Sequence, residues 1–124
     1  MANLIAIAFG GAFGALARYG SSQWVYGMLG RSFPYGTLFV NVVGSFVMGL
    51  LAIILIEKLM AGSEIKSFLM VGFLGSFTTF STFSLDTINM INDGELIKAG
   101  VNMVISVFVC VVACWMGILL ARQL

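Results

Sequence analysis

The charged residues of this chain leave long stretches with no charge at all. Residues 32–56, 67–85 and 99–121 form uncharged runs of 25, 19 and 23 residues, and residues 4–29 contain only Arg18. A helix needs roughly 20 consecutive, mostly apolar residues to cross the hydrocarbon core of a bilayer. Each run is therefore long enough to span a membrane once.

The composition supports the same interpretation. Hydrophobic residues make up 60% of the chain and charged residues 9%, whereas an average soluble domain carries about 25% charge. We expect an all-α integral membrane protein, a single transmembrane domain over residues 1–124. Its four helices are predicted at about residues 3–29, 33–57, 66–92 and 95–122.

Several classes of function are excluded by the residues that are rare or missing. A net charge of +1 leaves no basic surface for nucleic acid. The chain has no histidine, so it can form neither a His-based metal site nor a Ser-His-Asp triad. Cys110 and Cys114 lie in an apolar run and do not form the CxxC of a zinc or redox site. We expect a protein that is not an enzyme.

The positive charges do not favour one orientation in the membrane. With four spans, Lys58, Lys66 and Arg122 lie on one side, and Arg31 and Lys98 on the other, joined by Arg18 if its side chain extends outward. The positive-inside rule needs a bias between the two sides. The balance predicts dual topology, in which opposite copies pair as an antiparallel dimer; the alternative is one orientation that such small counts do not reveal.

Glycines and polar residues recur at helical spacing in the predicted spans. Gly10 and Gly14 form a GxxxG motif, which favours close packing of helices in lipid. Residues four apart share one helix face, so polar stripes are predicted on two helices. The stripes consist of Thr37, Asn41 and Ser45 on the second helix and of Asn102, Ser106 and Cys110 on the fourth. The residues of these stripes either form hydrogen bonds between helices or line a permeation path.

The strongest local signal lies in the third predicted helix. Residues 72–84, GFLGSFTTFSTFS, contain two glycines and six Ser or Thr. These residues favour the helix only moderately, and hydroxyls offer the backbone other partners. We expect a break near residues 75–79, although a continuous Ser/Thr-rich helix is the alternative. Such breaks occur at membrane depth where backbone groups line a cavity or hold an ion.

Phenylalanines alternate with these hydroxyls. Phe77, Phe80 and Phe83 recur every three residues. Aromatic ring edges carry partial positive charge, so they can solvate an anion without a fixed charge, and Asn41 could add an amide donor. The alternative is that these rings form a packing or lipid-facing surface.

Three segments together resemble the small bacterial fluoride channels of the CrcB or Fluc family. They are GALARYG at residues 14–20, GTLFVNVVGSFVMG at residues 36–49, and GFLGSFTTFSTFS at residues 72–84. The resemblance implies a passive channel that exports fluoride from the bacterial cytoplasm across the inner membrane and so confers fluoride resistance. It also implies an antiparallel homodimer with two fluoride pathways, each lined by both subunits.

The same resemblance implies roles for individual residues. Phe80 and Phe83 correspond to ring-edge fluoride ligands, and Asn41 to an amide donor. The implied hydroxyl track consists of Thr37, Ser81, Thr82 and Ser106. The carbonyls of Gly75 and Thr78 are implied to hold a structural sodium ion at the dimer axis. Cys110 stands where the track would continue with a hydroxyl, and a thiol is a weaker donor.

Two other membrane functions are open to a chain of this kind. A small multidrug exporter also has four short helices, but it needs a carboxylate within the first helix, and that helix has none. Asp86 and Asp93 lie toward the end of the third helix, where we expect a vestibule. A non-transporting assembly subunit would explain the glycines but not two polar stripes beside a broken helix.

Overall fold

The computed structural model describes all 124 residues, and every regular element is helical. We label the helices in chain order. Helix α1 is Ala2–Leu29; α2 is Tyr35–Leu51, continued by the π-helix Ala52–Lys58; α3 covers residues 63–77; α4 is Phe80–Asn92; and α5 is Leu96–Gln123.

Four spans are long and apolar enough to cross a membrane. They are Ala2–Leu29, Tyr35–Lys58, Ser63–Asn92 and Leu96–Gln123, so α3 and α4 together form the third span. The prediction of an all-α protein with four helices long and apolar enough to span a membrane is confirmed. The third span begins at Ser63, three residues before the predicted start at about residue 66, because the charged segment Ser63–Lys66 is itself helical.

Two short turns separate the spans at glycines with left-handed backbone. Gly30 ends α1 with φ of 82°, and its N–H donates to the carbonyl of Tyr26. Gly94 has φ of 79° between α4 and α5. Only glycine adopts this conformation without a steric penalty from a Cβ. These residues therefore set the points at which the chain reverses.

Two stretches are π-helical, which the sequence did not predict. They are Ala52–Lys58 at the end of α2 and Ser67–Leu74 within α3. The N–H of Leu59 accordingly donates to the carbonyl of Ile54, five residues back, at 2.8 Å. Such wide turns are often found near functional sites.

Glycines bring the helices together in two pairs. A Cβ added at Gly14 of α1 would overlap the backbone of Phe73 in α3, and the predicted GxxxG motif lies in this contact. A Cβ at Gly117 of α5 would overlap the carbonyl of Phe46 in α2. The backbones of α1 and α3, and of α2 and α5, are thus in direct contact, as small residues permit in membranes.

Candidate functional site

The third span is interrupted by two residues with extended backbone. Thr78 has φ of −86° and ψ of 158°, and Thr79 has φ of −151° and ψ of 119°. The helix of residues 63–77 ends before them and α4 begins after them. The interruption lies within the segment where the glycines and hydroxyls indicated a break.

Asn41 on α2 satisfies the exposed backbone groups of this break. Its Oδ1 accepts the N–H of Thr79 at 2.7 Å, and its Nδ2 donates to the carbonyl of Thr79 at 3.0 Å. Extended backbone within a membrane needs such partners, since lipid offers none. One side-chain amide therefore replaces the two hydrogen bonds that Thr79 would make in a continuous helix.

The hydroxyls of the break also have structural partners. Thr79 Oγ1 caps α4 by accepting the N–H of Thr82 at 3.2 Å, and it donates to Thr82 Oγ1 at 3.0 Å. Thr78 Oγ1 donates to the carbonyl of Leu74 at 2.9 Å. Thr79 was missed as a site residue, although threonine is among the residues preferred at the N-cap of a helix.

A cavity of about 430 Å³ lies between the break and the helices α2, α4 and α5. Its walls contain no charged residue; they carry amide, hydroxyl, thiol, aromatic and aliphatic groups. The lining residues are Asn41, Gly44, Ser45, Met48, Thr78, Thr79, Phe80, Phe83, Ser106, Val107, Cys110, Val111 and Cys114.

The cavity brings together residues that the sequence places on three different spans. Asn41 comes from the second span, Phe80 and Phe83 from the third, and Ser106 and Cys110 from the fourth. Residues of both predicted polar stripes thus meet at the break. Residues of the two stripes therefore line one shared cavity, in addition to any hydrogen bonds that they form between helices.

The two phenylalanines at the cavity differ in burial. Their ring centroids are 5.3 Å apart with planes tilted by 49°. Phe83 is 9% exposed, whereas Phe80 is 77% exposed. Phe77, the third member of the series, does not line the cavity; it is buried and stacks on Phe73 at 6.0 Å.

Thr37 lies away from this cavity. Its hydroxyl donates to Asp86 Oδ2 at 2.8 Å and lies 3.4 Å from the hydroxyl of Tyr26. Tyr26 and Asp86 line a second cavity of about 230 Å³ together with Arg31, whose guanidinium lies 4.4 Å from the centre of the Tyr26 ring. The charged groups Arg31 and Asp86 therefore lie at this second cavity and not at the first.

The remaining predicted residues lie on the surface of the chain. Ser81 and Thr82 are exposed on the first turn of α4, with Ser81 Oγ 3.4 Å from Thr79 Oγ1. Gly75 is exposed just before the break. In a continuous helix its carbonyl would accept the N–H of Thr79, which here is donated to Asn41.

A buried set of side chains lies behind Ser106. Its hydroxyl donates to Asn102 Oδ1 at 3.3 Å, Asn102 Nδ2 donates to Thr87 Oγ1 at 3.0 Å, and Thr87 Oγ1 donates to the carbonyl of Phe83 at 2.8 Å. These bonds link α5 to α4, and Asn102 is only 2% exposed. The polar stripe on the fourth span thus serves both the cavity and the contact between helices.

Comparison with known proteins identifies relatives over the whole chain. A protein named fluoride-specific ion channel FluC from Geobacter metallireducens is 49% identical over 124 residues, which cover all of both chains. One of the same name from Hydrogenovibrio crunogenus is 51% identical over 121 residues, 98% of this chain and 92% of that protein.

A relative from Methylococcus capsulatus with the same name is 52% identical over 122 residues, 98% of this chain. This chain spans about half of that longer protein, since the alignment covers 54% of it. The sequence model of the family described as CrcB-like protein, Camphor Resistance (CrcB), matches residues 5–118. From this match and the full-length identities, the chain belongs to the CrcB family.

Proposed function

We propose that this chain is a passive, fluoride-selective ion channel, with fluoride as its permeant ion. Two relatives that it matches over 100% and 92% of their length are named fluoride-specific ion channels. The observation that carries the proposal is the uncharged cavity at the break, where an amide, hydroxyls and two phenylalanines meet. An ion channel performs no catalysis, so the protein is not an enzyme.

The chemistry of this cavity suits a small, strongly hydrated anion. Aromatic ring edges are electropositive, and amide N–H and hydroxyl groups donate hydrogen bonds. Fluoride is small and holds a compact hydration shell, whereas chloride is larger and holds a looser one. Several donors placed close together replace the compact shell better, which favours fluoride over chloride. Because no Lys or Arg lines the cavity, the anion is held weakly enough to leave, as conduction requires.

Asn41, Phe80, Phe83 and Ser106 are the proposed anion ligands of this cavity. The amide of Asn41 uses one N–H on the carbonyl of Thr79, and its second N–H has no protein partner. Thr37, Ser81 and Thr82 extend the proposed pathway outside the cavity. Thr37 lies at its Asp86 end, and the other two lie on the exposed first turn of α4.

The pathway is proposed to be completed by a second copy of the chain. Phe80, Val107 and Val111 line the cavity yet are 77%, 54% and 66% exposed. A cavity with polar walls cannot open onto lipid without leaving those groups unsatisfied. A second copy packed on this face closes it, and the balanced Lys and Arg residues favour an antiparallel homodimer.

A structural sodium ion is proposed at the carbonyls of Gly75 and Thr78. The break removes the helical partner of the Gly75 carbonyl, and freed carbonyls at broken helices suit a hard monovalent cation. Gly75 is exposed on the surface near the break. Two copies meeting there would supply four such oxygens.

Flux measurements test the proposed function directly. Purified protein is reconstituted in liposomes loaded with fluoride or chloride, and passive efflux is recorded with ion-selective electrodes. We expect rapid fluoride efflux and little chloride efflux, with protein-free liposomes as the control. Chloride efflux as fast as fluoride efflux, or the absence of fluoride efflux, would contradict the proposal. In cells, we place the channel in the bacterial inner membrane, where fluoride export would confer resistance.

A further inference from the structure

The side chains behind Ser106 form a hydrogen-bonded series whose direction is determined at one end. The carbonyl of Phe83 can only accept, so the hydroxyl hydrogen of Thr87 is used on it at 2.8 Å. Thr87 Oγ1 can then offer only a lone pair to Asn102, which must present its Nδ2 at 3.0 Å. We call Thr87 and Asn102 the buried relay.

This direction determines what Ser106 presents to the cavity. With Nδ2 of Asn102 turned toward Thr87, its Oδ1 faces Ser106, and Ser106 must donate its hydrogen at 3.3 Å. An amide orientation is assigned from its hydrogen-bond network, and this orientation makes all three bonds of the series at once. The oxygen lone pairs of Ser106 are therefore what remain for the cavity, and these repel an anion.

We propose that Asn102 is a positioning residue that weakens anion binding at Ser106 by competing for its hydroxyl hydrogen. The inference rests on the proposed fluoride channel. When fluoride enters, Ser106 turns its O–H toward the ion and gives up its bond to Asn102, which at 3.3 Å is the longest of the three in the series. This leaves the Oδ1 of a side chain that is 2% exposed without a partner, which is unfavourable. The relay thus lowers affinity so that the ion can leave, which a channel requires.

Asn102→Leu removes the competing acceptor with a side chain of similar size. We expect the fluoride concentration at half-maximal efflux to fall about tenfold, as the loss of a penalty of this kind predicts. The maximal rate should fall as well, because a more tightly held ion leaves more slowly. Initial efflux rates from liposomes loaded over a series of fluoride concentrations give both quantities.

Thr87→Val tests the same relay without touching the cavity. Thr87 is buried and does not line the cavity. Without Oγ1 the Asn102 amide is free to turn its Nδ2 toward Ser106, which then accepts and turns its hydrogen toward the cavity. We expect the half-saturating concentration to fall here too, while Thr87→Ser, which keeps the hydroxyl, behaves as the unaltered protein.

A double variant separates this role from a general loss of structure. Ser106→Ala removes the donor, so adding Asn102→Leu to it should change the half-saturating concentration no further. A damaged fold would instead lower the maximal efflux rate without lowering the half-saturating fluoride concentration. Unchanged or higher half-saturating concentrations in both Asn102→Leu and Thr87→Val would overturn the inference. Absence of fluoride efflux from the unaltered protein would instead overturn the proposed function itself.

Discussion

At the scale of single residues, Phe80 and Phe83 show how two similar side chains take different environments on one helix. Phe83 is packed within its own chain at 9% exposure, and Phe80 extends outward at 77%. Their rings nevertheless remain 5.3 Å apart at the cavity. Phe83 therefore belongs to the core of the chain, whereas Phe80 lies on its outer surface.

Replacing either phenylalanine with isoleucine should suppress fluoride efflux. Isoleucine is apolar and tolerated in a membrane, at a cost below about 1.5 kcal/mol where volume is roughly kept, but it has no ring edge to contact the anion. Phe80→Ile and Phe83→Ile should purify normally and conduct poorly in the liposome assay. Phe9→Ile, exposed on α1, is the control. Normal efflux from both variants would make these rings packing residues only.

Asn41 combines two demands, since it both lines the cavity and satisfies the break. Asn41→Leu should leave the N–H and carbonyl of Thr79 unpaired, at about 1–3 kcal/mol for each buried group. We expect a clear drop in thermal stability in detergent, measured by the loss of the monodisperse peak on heating. Ser45→Ala is the control, because Ser45 lies one turn along the same helix and makes no hydrogen bond to the break. Equal stability of both variants would show that the break does not depend on this amide.

At the scale of elements, glycine contacts join α1 to α3 and α2 to α5, and the break joins the two pairs. Gly44 of α2 lies against the methyl group of Thr78, next to the bonds of Asn41 to Thr79. The position of α4 then depends on the cap at Thr79 and on the bond of Asn102 to Thr87. The cavity is thus built from contacts between helices.

A methyl group at Gly117 should separate α5 from α2. A Cβ there meets the backbone of Phe46, which cannot move as a flexible side chain would. Gly117→Ala should therefore give protein that aggregates or unfolds at lower temperature in size-exclusion measurements. Gly100→Ala on the same helix has open space around it and should be neutral or stabilising by about 0.5–1 kcal/mol. Similar behaviour of the two variants would contradict the close contact of α2 and α5.

At the scale of the whole molecule, the charges lie at both ends of the bundle in similar numbers. Arg122 lies 3.9 Å from Glu57 at one end, and Lys98 pairs with Glu95 and contacts the carbonyl of Ser32 at the other. Neither end is markedly more basic, so nothing in the charge distribution directs one end to the cytoplasm.

Mixed orientation in cells is the expected consequence of this balance. A tag at the C-terminus, probed from each side of the membrane in intact and permeabilised cells, should be accessible in two populations. A single population would exclude dual topology and the antiparallel dimer with it. Adding Lys or Arg residues at one end should shift the populations, which provides an internal control.

Sodium should act as a structural ion and should not be transported. Removing it, with a large organic cation as replacement, should impair assembly or fluoride efflux, because the freed carbonyls at the break would lose their partner. Electrical recordings under a sodium gradient should detect no sodium current. A sodium current accompanying fluoride, or full activity without sodium, would contradict the structural role.

The sequence by itself determined the number and kind of elements. Bilayer thickness sets the length of an uncharged run, so four runs gave four membrane-spanning helices that the structure confirms. The glycines and hydroxyls of residues 72–84 indicated where the third helix is interrupted, because local propensity acts within a few residues. These inferences need no knowledge of which helices are neighbours.

Only the tertiary structure decided which polar residues meet. The spacing of Thr37 and Asn41 puts both on one face of α2, but Asn41 bonds Thr79 while Thr37 bonds Asp86. The regular series of phenylalanines likewise divides, with Phe77 buried away from the cavity that Phe80 and Phe83 line. The physical reason is that a periodic pattern describes the face of one helix, whereas the partner of a buried polar group comes from another helix. How deep that other helix lies and how it is rotated are set by the backbone contacts at the glycines.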